Sequence, residues 1–509
     1  MLLSSPSSVE RWGVFEARMT GATHGNPFTE RTVTAVFSGA QETVEVDGFY
    51  DGDGVYVARF MPSFEGDYTF RVSGSFGESV EGAFRVDPAT KDNHGPVRVA
   101  NTHHFAYEDG APYFSIGTTC YVWTQQPDDL VAKTLQTLKQ SAFNKIRFCV
   151  FPKHYIHNFT DPVTFPYEGT PVGTDGLNEE TFLHGGWNPA QENEWDFTRF
   201  NPAHFRRVEE NIAALMRLGI EADLIVMHPY DRWGFSTMTP EQDDLYWKYV
   251  IARFAAYRNV WWSLANEYDL MKKTPADWER FASILCQKDP YRHLRSIHNC
   301  LNVYDFSRPW VTHCSVQRVD VYKSCELVDA LRERYGKPVV MDEICYEGDI
   351  DQGWGNITGE ELVRRFWEAT VRGGYAGHGE TYLHPDDILW WSHGGELHGT
   401  SEPRIRFLRD YIGSLPSCQL RPIRTSWDVP AAIPEEDFMR VDPKLQLHYF
   451  GFFRPRFRDF ALPEGARYRV EVIDTWNMTV EDQGVHEGRV RVRLPGRTYM
   501  AVCLKRVDD

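Results

Sequence analysis

The chain has 509 residues, which is longer than one ordinary domain and predicts roughly two to four of them. Its composition, 42% hydrophobic and 25% charged residues, is that of a globular protein. The net charge is −18 and the sequence contains no cluster of lysine and arginine, so we expect neither a nucleic-acid partner nor binding to an anionic membrane surface.

Three features of the sequence bear on its cellular location. The segment MLLSSPSSVERWGVFEARM lacks a basic start followed by an apolar run, so we expect no secretory signal. No stretch approaches about 18 uninterrupted apolar residues, which predicts no membrane span. The nine cysteines are scattered without C-x-x-C spacing, as is typical of free thiols in a reducing compartment. Together these features predict a cytoplasmic protein.

Residues 9–88 alternate polar and apolar positions between turns that contain Gly and Asp, without a helical period. The runs are WGVFEARMTG, RTVTAVFSG, ETVEVDGFYDG, GVYVARFMPSFEG, DYTFRVSG and EGAFRV. Short alternating strands of this kind are typical of an antiparallel, immunoglobulin-like β-sandwich. We therefore predict a first domain over residues 1–90.

Residues 91–418 alternate between apolar strand-like runs and helical segments. Eight such runs occupy residues 112–119, 143–151, 220–228, 259–267, 293–300, 308–316, 337–344 and 375–382. Between them, Asn201 and Pro202 predict the start of a helix, and Thr358 with Glu361 forms a capping-box pattern. Strands that are apolar along their whole length are typical of a parallel sheet buried on both faces.

Eight strands separated by helices predict an α/β domain with the (β/α)₈ TIM-barrel fold. A doubly wound sheet would need a Gly-rich phosphate turn after its first strand, and GTTCYVWTQ has none. Residues 419–509 return to strand patterns, in LQLHYFGFF, ARYRVEVIDTW and RVRVRLPGRTYMAVCLKRV, and predict a small C-terminal antiparallel β-domain. Three roles stay open for a terminal β-domain: substrate binding, sealing of the barrel, or contacts in a homo-oligomer.

Side chains at the carboxyl ends of barrel strands are the candidate site residues, because catalytic groups of this fold lie there. In chain order they are Trp123, Arg147, His228, Asn266, Glu267, His313, Glu343, His378 and Glu380. A cation, several histidines and several carboxylates would then meet at one mouth. No Ser, Cys or Lys stands out there as an activated nucleophile.

Two of these carboxylates follow apolar runs at the fourth and seventh strands, which face each other across a barrel rim. Cleavage of a sugar acetal needs a carboxylic acid for the leaving oxygen and a second carboxylate for the anomeric carbon. We predict Glu267 and Glu343 as this pair, with Arg147 either holding a carboxylate ionised or forming a structural salt bridge. If the strand count is wrong by one, Glu380 replaces Glu343.

The remaining candidates have two interpretations each. Four tryptophans, whose rings suit either stacking on a sugar or plain packing, are Trp123, Trp233, Trp390 and Trp391. His228 and His313 are either site contacts or structural histidines. Histidine pairs such as His103 with His104 lack the cysteine or carboxylate spacing of a zinc site, so we predict no metal and no other cofactor.

With those residues placed, the central segment resembles the clan A glycoside hydrolases. WSLANEYD is similar to the strand-four signature of that clan, and GKPVVMDEICYEG is similar to its strand-seven signature. The resemblance implies a retaining mechanism with Glu267 as acid/base and Glu343 as nucleophile. It also implies that Arg147 and His313 contact the nucleophile, and in the working mechanism Asn266 binds the 2-hydroxyl of the sugar.

Two longer segments, FNPAHFRRVEENIAALMRLGIEADLIVMHPYDRWGF and WWSHGGELHGTSEPRIRFLRDYI, resemble the apiosidase-like group of barrels. In that group a sandwich domain of unknown function precedes the barrel and a small β-domain follows it, so the resemblance covers nearly the whole chain. The acid/base place of apiosidases holds Asp, whereas this chain has Glu267. The resemblance therefore implies the reaction class and leaves the sugar open.

The sequence thus predicts a retaining, exo-acting glycoside hydrolase that removes a terminal sugar from short oligosaccharides or glycosides by double displacement. Residues 152–200 are long enough to close one end of the site, which favours exo action. Two alternatives stay open: a transglycosylase that uses the same carboxylates, and a non-catalytic carbohydrate-binding protein on a barrel scaffold.

Overall fold

A computed structural model describes residues 2–75, 79–174, 176–183, 193–320, 323–385, 389–425, 427 and 429–507. An N-terminal β-sandwich is followed by an eight-stranded parallel barrel and then by a C-terminal β-sheet region. The fold class predicted from the sequence is confirmed.

The N-terminal sandwich consists of two sheets around an aromatic core. Its described strands are β1 (Leu2–Ser4), β2 (Ser8–Glu10), β3 (Phe15–Thr20), β4 (Val33–Ser38), β5 (Thr43–Asp47), β6 (Phe49–Tyr50), β7 (Val55–Phe60), β8 (Gly66–Gly74) and β9 (Val80–Asp87). The sheets have the orders β1-β3-β7-β6 and β2-β9-β8-β4-β5. Phe15 stacks on Phe84 at 3.9 Å between ring centres, and Phe37 stacks on Phe60 at 4.5 Å. The sandwich departs from the antiparallel prediction at one edge, where β2 pairs with β9 in parallel.

The central strands and helices alternate as expected for a barrel. The strands are β10 (Val97–Ala100), β11 (His104–Tyr107), β12 (Pro112–Tyr113), β13 (Ile116–Thr119), β14 (Lys145–Cys149), β15 (Tyr167–Thr170), β16 (Glu194–Phe200), β17 (Glu221–Met227), β18 (Val260–Ala265), β19 (Arg295–Ser296), β20 (Cys314–Gln317), β21 (Val339–Glu343), β22 (Glu347–Gly348), β23 (Tyr375–His378) and β24 (Glu380–Thr381). The helices, including α1 in the sandwich, are α1 (Pro27–Glu30), α2 (Asp128–Gln140), α3 (Glu179–Leu183), α4 (Pro202–Arg217), α5 (Pro240–Phe254), α6 (Pro275–Lys288), α7 (Val328–Tyr335), α8 (Gly359–Val371), α9 (Trp390–His393) and α10 (Glu402–Gly413).

The barrel closes on itself through eight parallel strands. They pair in the order β19-β18-β17-β14-β13-β23-β21-β20, and a parallel bridge between His298 and Ser315 joins the two outer members. Seven of the predicted runs contain one of these strands, and the run 308–316 overlaps the eighth, β20. Local signals position the helices as predicted, since Asn201 Oδ1 accepts from Ala203 N at the start of α4 and Thr358 Oγ1 accepts from Glu361 N at the start of α8.

A three-stranded sheet, β10-β11-β12, covers the amino-terminal end of the barrel, a feature that the sequence did not predict. Its Phe105 ring lies 5.0 Å from the ring of Trp261 and 5.2 Å from that of Tyr375. Trp261 and Tyr375 stand at the beginnings of β18 and β23, so these buried rings fill the lower end of the barrel. The opposite, carboxyl-terminal end is left for the site.

Buried ion pairs join the sandwich to the barrel. Arg59 of β7 donates to Glu209 of α4 at 2.6 Å, and Arg253 of α5 donates to the same carboxylate at 2.5 Å. All three side chains are buried. Arg59 also donates to the backbone oxygen of Arg253 at 2.7 Å, so this one guanidinium of the sandwich binds two groups of the barrel.

The C-terminal region is a β-domain that packs on the barrel helices. Its described strands are β25 (Leu420–Ile423), β26 (Ala431–Pro434), β27 (Leu445–Tyr449), β28 (Phe457–Ala461), β29 (Arg467–Asp474), β30 (Thr479–His486), β31 (Arg489–Arg493) and β32 (Met500–Val507). Six of them form an antiparallel sheet in the order β25-β26-β27-β32-β29-β30, and β28 pairs with β31. Tyr449 stacks on Trp367 of α8 at 5.7 Å, and Tyr411 of α10 donates to Glu471 at 2.8 Å.

Within the described ranges, no helix has the length and apolar character needed to cross a membrane. The same residues contain no group of three or more His, Cys, Asp and Glu side chains arranged to hold a metal ion.

Candidate active site

A column of buried charges runs up the inside of the barrel from β14. Side chains alternate along a strand, so Lys145 and Arg147 both point inward. Lys145 Nζ lies 2.6 Å from Asp342 Oδ1 and 2.9 Å from Asp223 Oδ2. Although burial opposes ionisation, the charges of Lys145 and Arg147 hold the pKa of Asp342 well below its usual range. The column therefore alternates fixed positive and negative charges beneath the site.

Glu343, the last residue of β21, lies at the top of this column. Its Oε1 accepts a hydrogen bond from the Tyr121 hydroxyl and another from Arg147 Nη1 at 3.0 Å. His298 Nε2 lies 3.4 Å from the same oxygen. Burial alone would raise the pKa of Glu343, but His298, Arg147 and Tyr121 together lower it to about 2. Glu343 is therefore an ionised carboxylate.

Glu267 follows β18 in a left-handed backbone conformation with φ of +49°, which is uncommon for a non-glycine residue and is frequent at functional sites. Its Oε2 accepts from the Tyr230 hydroxyl, and its Oε1 accepts from Gln317 Nε2 at 2.9 Å. Burial and the neighbouring negative charge of Glu343 raise the pKa of Glu267. The two carboxyl groups thus have opposite tendencies, one to lose its proton and one to keep it.

Both carboxyl groups line one cavity of about 320 Å³ at the carboxyl-terminal end of the barrel. The lining residues are Tyr121, Lys153, Tyr155, Tyr230, Glu267, Leu270, Cys300, Gln317, Val319, Glu343, Cys345, Tyr346, Trp354 and Trp391. Six of these are aromatic, so the wall offers ring faces to an apolar surface such as the C–H face of a sugar.

Lys153 brings a cation into this wall among aromatic rings. Its Nζ lies 3.3 Å from the ring centre of Tyr121, 4.4 Å from that of Tyr230 and 4.7 Å from that of Trp391. Ring faces attract a cation, which offsets part of the cost of its burial. Burial still lowers the pKa of Lys153 to about 8, so its charge changes within an accessible pH range.

The comparisons with known proteins agree with this geometry. Residues 99–410 match the family model of the apiosidase-like catalytic domain. Residues 8–75 match DUF5060 and residues 427–505 match DUF5605, both domains of unknown function. The chain belongs to the apiosidase-like family. None of the curated proteins compared with it matches the chain.

Solved structures extend the likeness of this apiosidase-like protein to its whole length. A "putative glycoside hydrolase" from Bacteroides vulgatus ATCC 8482 is 36% identical over 99% of this chain and 100% of that one, with a TM-score of 0.90. A glycoside hydrolase family 5 structure from the same strain is 16% identical over 81% of this chain and 94% of that one, with a TM-score of 0.60. The chain is therefore a glycoside hydrolase with the barrel fold of these structures, and its substrate is a carbohydrate.

Five of the predicted site residues lie at or beside the cavity of this apiosidase-like enzyme. Glu267, Glu343 and Trp391 line it. Arg147 and Asn266 lie beside it, where Arg147 Nη2 donates to Asn266 Oδ1 at 3.1 Å. Asn266 Nδ2 makes no hydrogen bond with the described residues, so a donor remains next to Glu267.

Two predicted histidines lie away from the cavity. His313 precedes β20, which begins at Cys314, so it stands at the amino-terminal end of the barrel, 5.2 Å from the ring of Trp261. The run 308–316 placed this residue near the end of a strand, whereas the strand starts after it. The contact with Glu343 that the resemblance implied for His313 is made instead by His298. Burial lowers the pKa of His228 to about 3, and its Nε2 lies 3.4 Å from the backbone oxygen of Phe151.

Four other candidates occupy packed positions that do not line the cavity. Trp390 Nε1 donates to Thr118 Oγ1 at 2.9 Å, and His378 Nδ1 lies 3.0 Å from the same hydroxyl. The Trp123 ring packs 5.6 Å from that of Phe148. The Trp233 ring packs 5.8 Å from that of Phe165. The structure therefore shows these four side chains packed against neighbouring residues.

Glu380, the alternative nucleophile, binds a loop and does not line the cavity. Its carboxylate accepts from the backbone amide of His398 and, at 2.8 Å, from that of Gly399. Burial raises its pKa to about 8. Glu347 receives the next two amides, from Thr400 at 2.7 Å and Ser401 at 3.0 Å. The two carboxyl groups therefore hold the loop before α10.

Sequence reasoning missed most of the cavity wall. Tyr121, Lys153 and Tyr230 lie in loops that follow barrel strands, and Gln317 is the last residue of β20. His298, which follows β19, contacts the wall through Glu343. Two signals were present: Tyr230 follows a predicted strand by two residues, much as Trp123 does, and His298 lies near the end of the predicted run 293–300. Lys153 carried no such signal, because its place in the wall depends on the path of the loop after β14.

Proposed function

We propose that this glycoside hydrolase is a retaining, exo-acting enzyme, with Glu343 as nucleophile and Glu267 as acid/base. The observation that carries the proposal is the opposite ionisation of two carboxyl groups on one cavity. The charges of His298 and Arg147 favour ionised Glu343, whereas burial and the charge of Glu343 favour protonated Glu267. This is the pair of states that the first step of double displacement requires.

In the first step, the carboxylate of Glu343 attacks the anomeric carbon while Glu267 gives its proton to the departing oxygen. Arg147, Tyr121 and His298 all contact Oε1 of Glu343, so Oε2 is the oxygen that we assign as the attacking atom. The unpaired Nδ2 of Asn266 is placed to donate to the 2-hydroxyl of the sugar.

In the second step, Glu267 removes a proton from water, which attacks the glycosyl-enzyme. Glu343 is then an ester without charge, so the repulsion that raised the pKa of Glu267 is gone. The charge of Lys153 further lowers the pKa of Glu267. Glu267 therefore changes from acid to base without a change of position.

The size and wall of the cavity favour exo action. A volume of about 320 Å³ lies at the lower end of the range for small-molecule sites and fits a terminal sugar better than a chain passing through. Lys153 and Tyr155, from the long loop after β14, line one side of it, which supports the expectation that this loop closes one end of the site. Residues 184–192 of that loop lie outside the described residues.

Release of nitrophenol from aryl glycosides tests the proposal. We expect one sugar and one anomer to be hydrolysed, with NMR of the fresh product showing retained configuration. Glu343→Gln should lower kcat/KM by about 10³-fold or more. Glu267→Gln should lower kcat by about 10²-fold or more, and added azide should restore turnover as glycosyl azide. An inverted product, or full activity in Glu343→Gln, would contradict the proposal.

The alternative function is that of a transglycosylase, which would use the same two carboxylates. An acceptor sugar added to the same assay distinguishes the two, because a transglycosylase forms a new glycoside in place of free sugar. Cytoplasmic location and a homo-oligomer through the β-domains stay predictions, which fractionation of cells and light scattering of the purified protein would test.

A further inference from the structure

His298 is a buried histidine that the sequence did not single out. It follows β19, and its ring lies inside the barrel between the ends of β20 and β21. Each ring nitrogen has defined neighbours: Nδ1 faces Ser315, while Nε2 faces Gln317 and Glu343. The hydrogen-bonding needs of these neighbours determine how many protons the ring carries.

The proton on Nδ1 follows from the charge column below it. Lys145 lies 2.6 Å from Asp342, whose carboxylate is therefore ionised and can only accept hydrogen bonds. Ser315 Oγ lies 2.6 Å from Asp342 Oδ2, so its single hydroxyl proton is donated there. Ser315 Oγ can then only accept from His298 Nδ1, 2.9 Å away, and Nδ1 must carry a proton.

The proton on Nε2 follows from the other side of the ring. Nε2 lies 3.4 Å from Glu343 Oε1 and 3.4 Å from Gln317 Oε1, and both atoms are acceptors. Gln317 presents its oxygen to the ring because its amide nitrogen donates to Glu267 Oε1 at 2.9 Å. A bare Nε2 would face two oxygens with no proton among them, which is unfavourable in a buried site.

We propose that His298 is a doubly protonated imidazolium that positions both catalytic carboxyl groups, Glu343 by direct contact and Glu267 through Gln317. The charge of the ring stands independently of the reaction, whereas its positioning role rests on the proposed function. The charged and titratable groups around it are Glu343, Asp342 through Ser315, Glu267 through Gln317, and Arg147 on the far side of Glu343.

A fixed cation between the two carboxyl groups has a use in both steps of the reaction. Before attack it faces ionised Glu343. After attack Glu343 is a neutral ester, and negative charge develops on Glu267 as it becomes the base. The imidazolium then lies one amide away from the new charge, so negative charge moves across the site while the positive charge stays in place.

The protonation state is measured by NMR of the full chain labelled with ¹⁵N-histidine. The ring of His298 is assigned by the signals that disappear in His298→Gln. We expect both ring nitrogens of His298 to carry protons at neutral pH and to be protected from exchange. A ring with one protonated nitrogen, with the Gln317 amide turned over to donate to it, would overturn the proposal, and this measurement needs no glycosidase activity.

The positioning role is measured by the pH dependence of kcat/KM. Removing the cation raises the pKa of Glu343 by about 1–3 units, so His298→Gln should lose activity between pH 6 and pH 4, where the wild type stays nearly flat. His313→Gln, a buried histidine at the other end of the barrel, is the matched control and should keep the wild-type profile. An equal loss at every pH in His298→Gln would show a merely structural role and overturn this part. Absence of glycosidase activity in the wild type would instead refute the proposed function, while the NMR result stands.

Discussion

In the proposed mechanism Lys153 acts through its charge, and its ammonium group lies among the ring faces of the cavity wall. It lowers the pKa of Glu267, so it promotes loss of the acid/base proton. It also presents ammonium donors to whatever occupies the cavity. A single residue of the loop after β14 thus affects both the binding of the sugar and the ionisation of the acid.

We predict that Lys153→Met lowers kcat/KM by about 10- to 100-fold, the cost of one buried charged hydrogen bond. The alkaline limb of the pH profile should also move to higher pH. Glu267 must be protonated for the first step, and without the nearby cation it keeps its proton longer as pH rises. Kinetics from pH 5 to pH 10 measure both effects. Lys133→Met, which removes an exposed lysine on α2, serves as control, and an unmoved limb in Lys153→Met would contradict the prediction.

At this scale the sequence singled out the two carboxyl groups that line the cavity and missed the side chains that contact them, for a physical reason. Glu267 and Glu343 end long apolar strands, so the change from apolar to polar residues marks them. His298 and Gln317 act through contacts between different strands, which depend on how β19, β20 and β21 are staggered in the closed barrel. The sequence pattern of one strand does not reveal how that strand is staggered against its neighbours. His313 was misplaced because the predicted run, 308–316, begins several residues before β20, so His313 lies in the run but precedes the strand.

At the scale of elements, the eight strands were predictable because each is buried on both faces and therefore apolar throughout. The carboxyl pair Glu347 and Glu380 shows what strand patterns do not reveal. These residues belong to the short strands β22 and β24, and they receive four successive backbone amides of residues 398–401. A carboxylate after a barrel strand is thus not by itself a sign of catalysis.

Glu380→Ala should destabilise the protein while sparing the chemistry. Removal of the carboxyl group leaves two amides of the loop without an acceptor, at a cost of about 1–3 kcal/mol in the free energy of unfolding. Thermal unfolding should therefore begin at a lower temperature, with kcat changed far less than in Glu343→Gln. A loss of kcat as large as that of Glu343→Gln, in a variant that remains folded, would make Glu380 a catalytic group.

Glu221, at the start of β17, gives the barrel a stability that depends on pH. Burial raises its pKa to about 8, and it accepts from Trp261 Nε1 at 2.9 Å. Between pH 4.5 and pH 8 the unfolded chain loses this proton while the folded chain keeps it, so stability falls as pH rises. Glu221→Gln should be increasingly more stable than the wild type from pH 5 to pH 8. If Glu221→Gln and the wild type had equal melting temperatures at pH 5 and again at pH 8, the prediction would be contradicted.

At the scale of the whole molecule, the three regions are joined by particular buried contacts rather than by linkers. Arg59 of the sandwich shares Glu209 with Arg253 of the barrel, and Tyr449 of the C-terminal sheet stacks on Trp367. The sequence predicted the three regions from their strand and helix patterns. It did not predict these joints, because each is made by residues of opposite charge or by rings that lie far apart along the chain.

Arg59→Leu should therefore uncouple the sandwich from the barrel. The change removes one of the two arginines around buried Glu209, at a cost of about 3 kcal/mol. We expect a separate, earlier unfolding transition for the sandwich in calorimetry, with the active site intact below it. Arg71→Leu, an exposed arginine on β8, is the control. A single transition at the wild-type temperature in Arg59→Leu would contradict the prediction and show that the remaining contacts are sufficient to hold the domains together.

The aromatic residues that fill the lower end of the barrel determine the side from which substrate and water reach the cavity. With Phe105, Trp261 and Tyr375 closing that end, the cavity lies at the opposite, carboxyl-terminal end of the barrel. In the proposed double displacement, the hydrolytic water therefore arrives from the side that the leaving group has just vacated. On that mechanism, departure of the aglycone precedes the second step, and an aglycone that leaves slowly prolongs the life of the glycosyl-enzyme. Whichever hydroxyl compound next occupies that side, water or another sugar, becomes the acceptor.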